Sequence, residues 1–174
     1  MKLQIRQGVF ETNSSSTHAI SICRYDKQPI PKSLYFGFGA FGWENEVYDD
    51  YESKAAYLWT AVCGHYIYED DRPKIEEIKE KLTKILNDYG VESIQFANGE
   101  YVDNSWGDSR YLKFDGYIDH GWELIKWVEN MLEDPDLLIG YLFNTESFVN
   151  TGNDNDDTPL GWAEGAIYTM YKGN

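Results

Sequence analysis

Apolar side chains recur at the spacing of an amphipathic helix in four parts of this chain, and each part is expected to bury one face. The ranges are 51–64, 73–89, 121–132 and a last helix that starts after Asp134. In the second range Pro73 stands in the first turn and Gly90 follows the last apolar position, as is typical of helix ends. Asp71 and Asp134 are expected to cap the second and the fourth helix.

Alternation with a period of two indicates the strands. The first 25 residues predict an N-terminal β-hairpin with arms near 2–9 and 19–22, and further strands are predicted at 33–38, 91–96, 111–114 and 166–171. Helices and strands alternate only loosely. The pattern therefore favours an α+β fold in which a mixed or antiparallel sheet packs with about four helices, within a single domain spanning 1–174.

The charge of the chain limits the classes of molecule that it is expected to bind. The chain has 30 acidic and 15 basic residues and a formal net charge of −15 at pH 7. The range 72–88 holds five bases and four acids, so the remainder of the chain carries −16. A field of this sign repels nucleic acid and anionic membranes and favours basic protein surfaces or cations. We expect neither direct nucleic-acid binding nor membrane binding.

Cysteine content and the N-terminal sequence indicate the compartment. Cys23 and Cys63 are expected to be buried free thiols, since two distant cysteines do not suggest a disulfide framework. The N-terminal residues lack the apolar region of a secretory signal, and no apolar run approaches the roughly 20 residues that span a bilayer. The sequence therefore predicts a cytoplasmic protein.

The loop between the hairpin arms consists almost wholly of hydroxyl and amide side chains. Its Ser and Thr hydroxyls and backbone N–H groups could surround a phosphate, and a serine beside His18 could be an activated nucleophile. Serine-rich loops also satisfy their own backbone through local turns, and the sequence has no glycine-rich phosphate loop and no GxSxG motif. The local turn is the favoured interpretation. The candidate ligand residues are Glu11, Asn13, Ser14, Ser15, Ser16, Thr17 and, from a later segment, Asn153.

Two other polar segments have similar alternatives. Asp119 could orient His120 or share a metal with it, but capping of the helix predicted near Gly121 explains the pair more simply. The range 152–157 alternates Asn and Asp as a calcium loop does, but it lacks the glycine and glutamate spacing of an EF-hand and is interpreted as a tight turn. No metal site and no cofactor is predicted, because the motifs for metal, nucleotide and redox cofactors are missing from the sequence.

Three segments together resemble a family of small proteins of bacteriophages and prophages of Gram-positive bacteria. The segments are RQGVFETNSSSTHAI at 6–20, GYIDHG at 116–121 and FNTESFVNTGNDND at 143–156. The family has an "FETNSSSTHS"-like hairpin, an "IDHQS"-like segment and a "tGNDN"-like segment; here Gly121 and Trp122 replace the "QS". The resemblance implies a mobile-element origin, with the bacterial host cell as the compartment. It also implies that the three polar segments gather into one site.

The sequence leaves two functions open. The first is an acidic inhibitor that binds a basic surface on a host defence or nucleic-acid-handling protein and could mimic DNA in the manner of an anti-CRISPR protein. Its expected contacts are Glu44, Glu46, Asp49, Asp50, Glu52, Glu69, Asp70 and Asp71. The alternative is a hydrolase or transferase that acts on a phosphate-containing substrate. Its expected catalytic groups are His18, His120, Asp119 and Asp154.

Overall fold

The computed structural model describes residues 16–42, 44–104, 109–119, 124–153 and 161–172. The four helices in these ranges are α1 (Tyr51–His65), α2 (Arg72–Asp88), α3 (Ile125–Glu133) and α4 (Pro135–Phe143), and a short 3-10 turn, Glu69–Asp71, precedes α2. The strands are β1 (Ser16–Cys23), β2 (Ser33–Phe36), β3 (Ala40–Phe41), β4 (Glu46–Tyr48), β5 (Ser93–Phe96), β6 (Glu100–Asp103), β7 (Arg110–Lys113), β8 (Tyr117–Ile118), β9 (Phe148–Asn153) and β10 (Ala166–Lys172). The predicted α+β class is confirmed.

The largest sheet has four strands in the order β10-β1-β9-β4, and every pairing in it is antiparallel. All eight residues of β1 are buried, so this strand is covered on both faces. β1 is the predicted second arm of the N-terminal hairpin; the first arm, near 2–9, lies outside the described residues. Two parallel pairs, β2–β5 and β3–β8, and one antiparallel pair, β6–β7, complete the mixed arrangement.

Helix α1 is the centre of the hydrophobic core. Nine of the ten residues from Lys54 to Cys63 are buried, so other parts of the protein cover this helix on all sides and it does not have a single apolar face. Its N-terminus is capped by Asp50, whose Oδ1 accepts a hydrogen bond of 2.8 Å from the Ser53 N–H. Tyr57 and Trp59 are two positions apart, so their side chains leave the helix about 200° apart around its axis. Tyr57 therefore contacts His18 of β1, whereas Trp59 donates a hydrogen bond to the Ala97 carbonyl on the other side of the helix.

The predicted caps of the other helices have mixed outcomes. Asp134 has an extended backbone, with φ −123° and ψ 93°, and its Oδ1 accepts from the Leu137 N–H at 3.3 Å, which confirms the prediction. Asp71 makes no capping hydrogen bond and lies 3.6 Å from the Lys74 Nζ instead. The 3-10 turn places Asp71 at φ −85° and ψ −5°, and a capping side chain normally requires an extended backbone. Gly90 ends α2 with φ +94°, as predicted.

A buried lysine fixes the connection between α4 and β9. The Lys54 Nζ donates to the carbonyl oxygens of Asn144 at 2.9 Å and Ser147 at 3.0 Å. Burial lowers the pKa of Lys54 to about 8, and the charges of Asp49 and Asp50 oppose this decrease. Because these carbonyls directly precede β9, Lys54 helps to set the position of that strand.

Two further predictions concern the cysteines and membrane-spanning helices. Cys23 and Cys63 are buried free thiols, as expected. Within the described ranges, none of the helices combines the length and the apolar character that crossing a membrane requires.

Candidate functional site

The described parts of the three polar segments meet at one end of the main sheet. Ser16 begins β1 and lies opposite Asn153, the last residue of β9. The Ser16 Oγ donates a hydrogen bond of 3.0 Å to the main-chain oxygen of Asp119, which directly follows β8. We call this region the polar junction and define it as Ser16, Thr17, His18, Asp119, Thr151 and Asn153. It contains residues from all three segments of the resemblance.

Short strands and aromatic packing bring Asp119 to this place. The Asp119 N–H donates to the Phe41 carbonyl oxygen at 2.9 Å, which continues the β3–β8 pairing by one residue. Phe41 packs edge-on against Tyr57 of α1, with ring centroids 4.9 Å apart. Tyr57 in turn contacts His18 of β1. The core helix therefore joins the segment that ends at Asp119 to the main sheet.

His18 is fully buried and both of its ring nitrogens have hydrogen-bond partners. Its Nε2 lies 3.0 Å from the Ser16 Oγ, and its Nδ1 lies 3.1 Å from the Tyr57 Oη. A hydroxyl has one proton; with that proton in the Ser16–Asp119 hydrogen bond, the His18 tautomer that completes the network carries its proton on Nε2 and donates to Ser16. In the neutral imidazole the Nδ1 then accepts from Tyr57. The chain of donors runs from Tyr57 through His18 and Ser16 to Asp119.

This polarity determines what the Ser16–His18 pair can do. A serine that is activated by a histidine donates its proton to the imidazole, whereas in this tautomer the imidazole donates to the serine. Burial also raises the pKa of Tyr57 well above its ordinary value, so the phenol remains protonated and able to donate. The arrangement is that of a positioning network, and catalysis by His18 stays a prediction.

The junction places several polar side chains in the interior. Ser16, His18 and Thr151 have no exposed surface, and Thr17 is 5% exposed. Thr151 lies opposite His18 in the β1–β9 register and donates through Oγ1 to the main-chain oxygen of Glu44. Burial of hydroxyl and imidazole groups is unfavourable unless each is hydrogen-bonded, and apolar residues of similar shape would be tolerated in most cores. The hydrogen bonds of these groups offset the cost of their burial and link β1 and β9 to the segments that contain Glu44 and Asp119.

Asp119 and Asn153 are the half-buried residues of the junction. They differ in this respect from Ser16, His18 and Thr151, which lie beneath the surface. The geometry therefore separates buried residues that hold the strands and loops together from residues whose side chains reach solvent. A bound molecule can contact only the second kind.

Other sequence predictions for this region have different outcomes. The cap predicted for a helix near Gly121 falls at residues 120–123, which lie outside the described residues; α3 itself begins at Ile125, with Leu124 as its N-terminal flanking residue. Several candidate residues lie outside the described residues: Glu11, Asn13, Ser14, Ser15, His120 and Asp154. In the part of the chain that the structure describes, no three or more His, Cys, Asp or Glu side chains are grouped so as to hold a metal ion.

The acidic residues expected to contact a partner form two separate groups. Glu44, Glu46, Asp49, Asp50 and Glu52 lie along β4 and the N-terminus of α1, and Glu69, Asp70 and Asp71 lie beyond its C-terminus. Since α1 has 15 residues and a helix rises 1.5 Å per residue, its length separates the groups by about 22 Å. Some of these acids also have internal partners: Glu69 binds Arg110 at 2.7 Å, and Asp50 caps α1.

Sequence reasoning missed Tyr57 as a member of this network. Its position among the apolar residues of α1 does not distinguish it from an ordinary core residue, and only the polar tip of a buried tyrosine, which requires a hydrogen-bond partner, could have indicated its role. Comparison of the chain with protein-family models, with curated proteins and with solved structures gave no match. Inferences about function therefore depend on the site.

Proposed function

We propose that the polar junction is the site of a hydrolase or transferase that acts on a phosphate-containing substrate. The observation that carries the proposal is the meeting of three polar segments, far apart in the sequence, through the Ser16–Asp119 hydrogen bond and the Ser16–Asn153 register. A fold does not require such a gathering of hydroxyl, amide, imidazole and carboxylate groups, whereas a ligand site does.

The roles follow from burial. Asp119 is the proposed acid–base group, because a carboxylate can take a proton from a water or hydroxyl nucleophile. Asn153 is the proposed substrate contact, since an amide can donate to a phosphate oxygen without adding charge. Ser16 and His18 are proposed positioning residues that hold the Asp119 main chain in place.

The proposal is tested by following phosphorus-containing compounds directly. Wild-type protein is incubated with ATP, NAD⁺, a sugar phosphate and pyrophosphate, and 31P NMR records any new species, so that hydrolysis and transfer are both detected. We expect conversion of at least one compound, and a decrease of about 100-fold in its rate in the Asp119→Asn variant, the effect typical of a lost acid–base group.

Asp26→Asn is the matched control, because Asp26 is an exposed acid in the loop after β1 and contacts Gln28 there. The control should convert the compound at the wild-type rate. Circular dichroism and thermal unfolding establish that both variants fold. The proposal is wrong if folded wild-type protein converts none of the compounds, or if both variants lose activity equally.

A second candidate is the acidic inhibitor of a host nucleic-acid-handling or defence protein. The observation in its favour is that all five acids of the 44–52 range are exposed, next to an edge strand of the main sheet. Pull-downs with CRISPR effector proteins should then succeed at low ionic strength, weaken steeply with salt, and fail for a variant with Glu44→Gln, Glu46→Gln and Asp49→Asn. Failure of the wild-type protein to bind any effector at low ionic strength would refute this candidate.

A further inference from the structure

A cavity of about 220 Å³ lies between α1, α2 and the β6–β7 hairpin. Its wall includes Trp59, and Tyr57, the residue that contacts His18, leaves α1 on the other side of the helix. The cavity is therefore distinct from the polar junction. Its volume equals that of about seven molecules of liquid water, which is less than a drug-sized ligand requires.

The lining combines an apolar wall with unsatisfied polar groups. Trp59, Ile75 and Leu112 contribute apolar surface, and the Trp59 Nε1–H is fixed by a 2.9 Å hydrogen bond to the Ala97 carbonyl. The Tyr101 Oη is buried and has no hydrogen-bond partner among the residues that the structure describes. A buried hydroxyl without a hydrogen-bond partner is unfavourable. A bound molecule that forms a hydrogen bond with the Tyr101 hydroxyl would remove this cost.

Positive charge also faces this cavity, in a protein whose net charge is −15. Lys79 lies 5.6 Å from the centre of the Trp59 ring, but its Nζ is already paired with Glu76 at 2.9 Å. The Arg72 guanidinium makes no ion pair or hydrogen bond with the described residues, although the Arg72 backbone N–H donates to the Glu69 carbonyl oxygen. Its charge acts on Tyr101: burial raises the pKa of the Tyr101 phenol, and Arg72 opposes the increase. Arg72 and Tyr101 both line the cavity, so a molecule bound there can contact both side chains.

We propose that this cavity binds a small organic oxyanion, with its carboxylate or phosphate between Arg72 and the Tyr101 hydroxyl and its apolar body against Trp59. Arginine binds both kinds of oxyanion through its fork of N–H donors, and a protonated tyrosine adds a third donor. One uncompensated guanidinium matches a single anionic group. The site is independent of the chemistry proposed at the polar junction.

The test uses benzoate and phenyl phosphate as probes and benzyl alcohol as the uncharged control. NMR follows the indole N–H resonance of Trp59 during titration of the wild-type protein. We expect a saturable shift with at least one anion and none with the alcohol. Comparison of the two anions decides between a carboxylate and a phosphate ligand.

Three variants identify the groups that bind. Arg72→Gln should weaken binding by about tenfold or more, since a charge-assisted hydrogen bond is lost. Tyr101→Phe should weaken it by about fivefold and, because it removes a buried hydroxyl without a partner, should raise the Tm of the free protein by about 2–4 °C. Arg24→Gln, which removes an exposed arginine elsewhere, should leave binding unchanged.

Tyr101→Phe is expected to weaken binding and to raise the Tm of the free protein. A hydroxyl with a purely structural role would instead lower the Tm when it is removed. The proposal is overturned if neither anion gives a saturable shift, if benzyl alcohol binds as well as the anions, or if Arg24→Gln weakens binding as much as Arg72→Gln. A decrease in the Tm of the free Tyr101→Phe variant also contradicts it, because the hydroxyl would then have a partner.

Discussion

Replacement of Gly140 by alanine is expected to lower the free energy of unfolding by about 3 kcal/mol, in spite of the better helix propensity of alanine. Gly140 lies in α4, where the helix packs directly on the end of β1. A Cβ there would overlap the Cys23 carbonyl oxygen and lie 3.3 Å from the Tyr25 nitrogen. Both neighbours are main-chain atoms of a buried strand and the residues that follow it, so they cannot move aside as a flexible side chain can. Urea denaturation measures the change.

Gly64 provides the matched control, because it also lies in a helix. A Cβ at Gly64 would have no atom within 4 Å, so Gly64→Ala should stabilise α1 by about 0.5–1 kcal/mol. Opposite signs for the same substitution in two helices would confirm that close packing, and not helix propensity, decides the outcome at Gly140. Equal effects would show that α4 does not lie on β1 as described.

Replacement of His18 by leucine is expected to cost about 3 kcal/mol of unfolding free energy, because Tyr57 and Ser16 lose their imidazole partner in a buried place. The change is measured by urea denaturation as well. Adding Tyr57→Phe to this variant should recover about 1 kcal/mol, since the phenol that lost its partner is then removed. Tyr57→Phe alone should be destabilising, so the two substitutions are not additive.

A histidine outside the network, in α1, is the control for this cycle. His65 stands at the last position of α1 and is half-buried, and His65→Leu should change the free energy of unfolding by less than about 1 kcal/mol. Additive effects of His18→Leu and Tyr57→Phe would mean that the two side chains do not form the proposed network. The hydrogen-bond chain from Tyr57 to Asp119 would then have to be abandoned.

Two of the four helices could be predicted closely from the sequence. The predicted ranges 51–64 and 73–89 agree with Tyr51–His65 and Arg72–Asp88 to within one residue, because periodic apolar positions and a terminal glycine act locally. The cap at Asp71 was wrong because a 3-10 turn, which the periodicity does not indicate, precedes the helix. The capping prediction from the local sequence thus failed where the preceding 3-10 turn gave Asp71 a helical backbone conformation.

Pairing between distant segments was the part that the sequence could not provide. β3 and β8 have two residues each and pair across more than 70 positions of the chain, so neither contains a readable alternation. The same pairing brings Asp119 to Ser16, a contact across 103 positions. The resemblance to phage proteins implied that the polar segments gather, but it could not supply the core tyrosine that links them, since Tyr57 lies in none of its motifs.

The cavity between α1, α2 and the β6–β7 hairpin was also beyond the sequence. Trp59 and Ile75 belong to apolar helix faces that predict only burial, and the β6 strand was not predicted. That the Arg72 and Tyr101 side chains lack partners among the described residues becomes apparent only from the three-dimensional arrangement of the polar atoms. The sequence therefore indicated the polar segments of the junction but gave no sign of this cavity.

The central claim is that the three polar segments form one ligand site, and amide chemical-shift mapping tests it most directly. The 15N–1H spectrum of the wild-type protein is recorded while ATP, NAD⁺, a sugar phosphate and pyrophosphate are added in separate titrations. The account predicts that at least one compound shifts the amide resonances of Ser16, Asp119 and Asn153 together, with a common saturation curve, while the Trp59 indole follows a different curve or does not respond. Shifts confined to residues outside the junction, or no saturable shift with any compound, would contradict it.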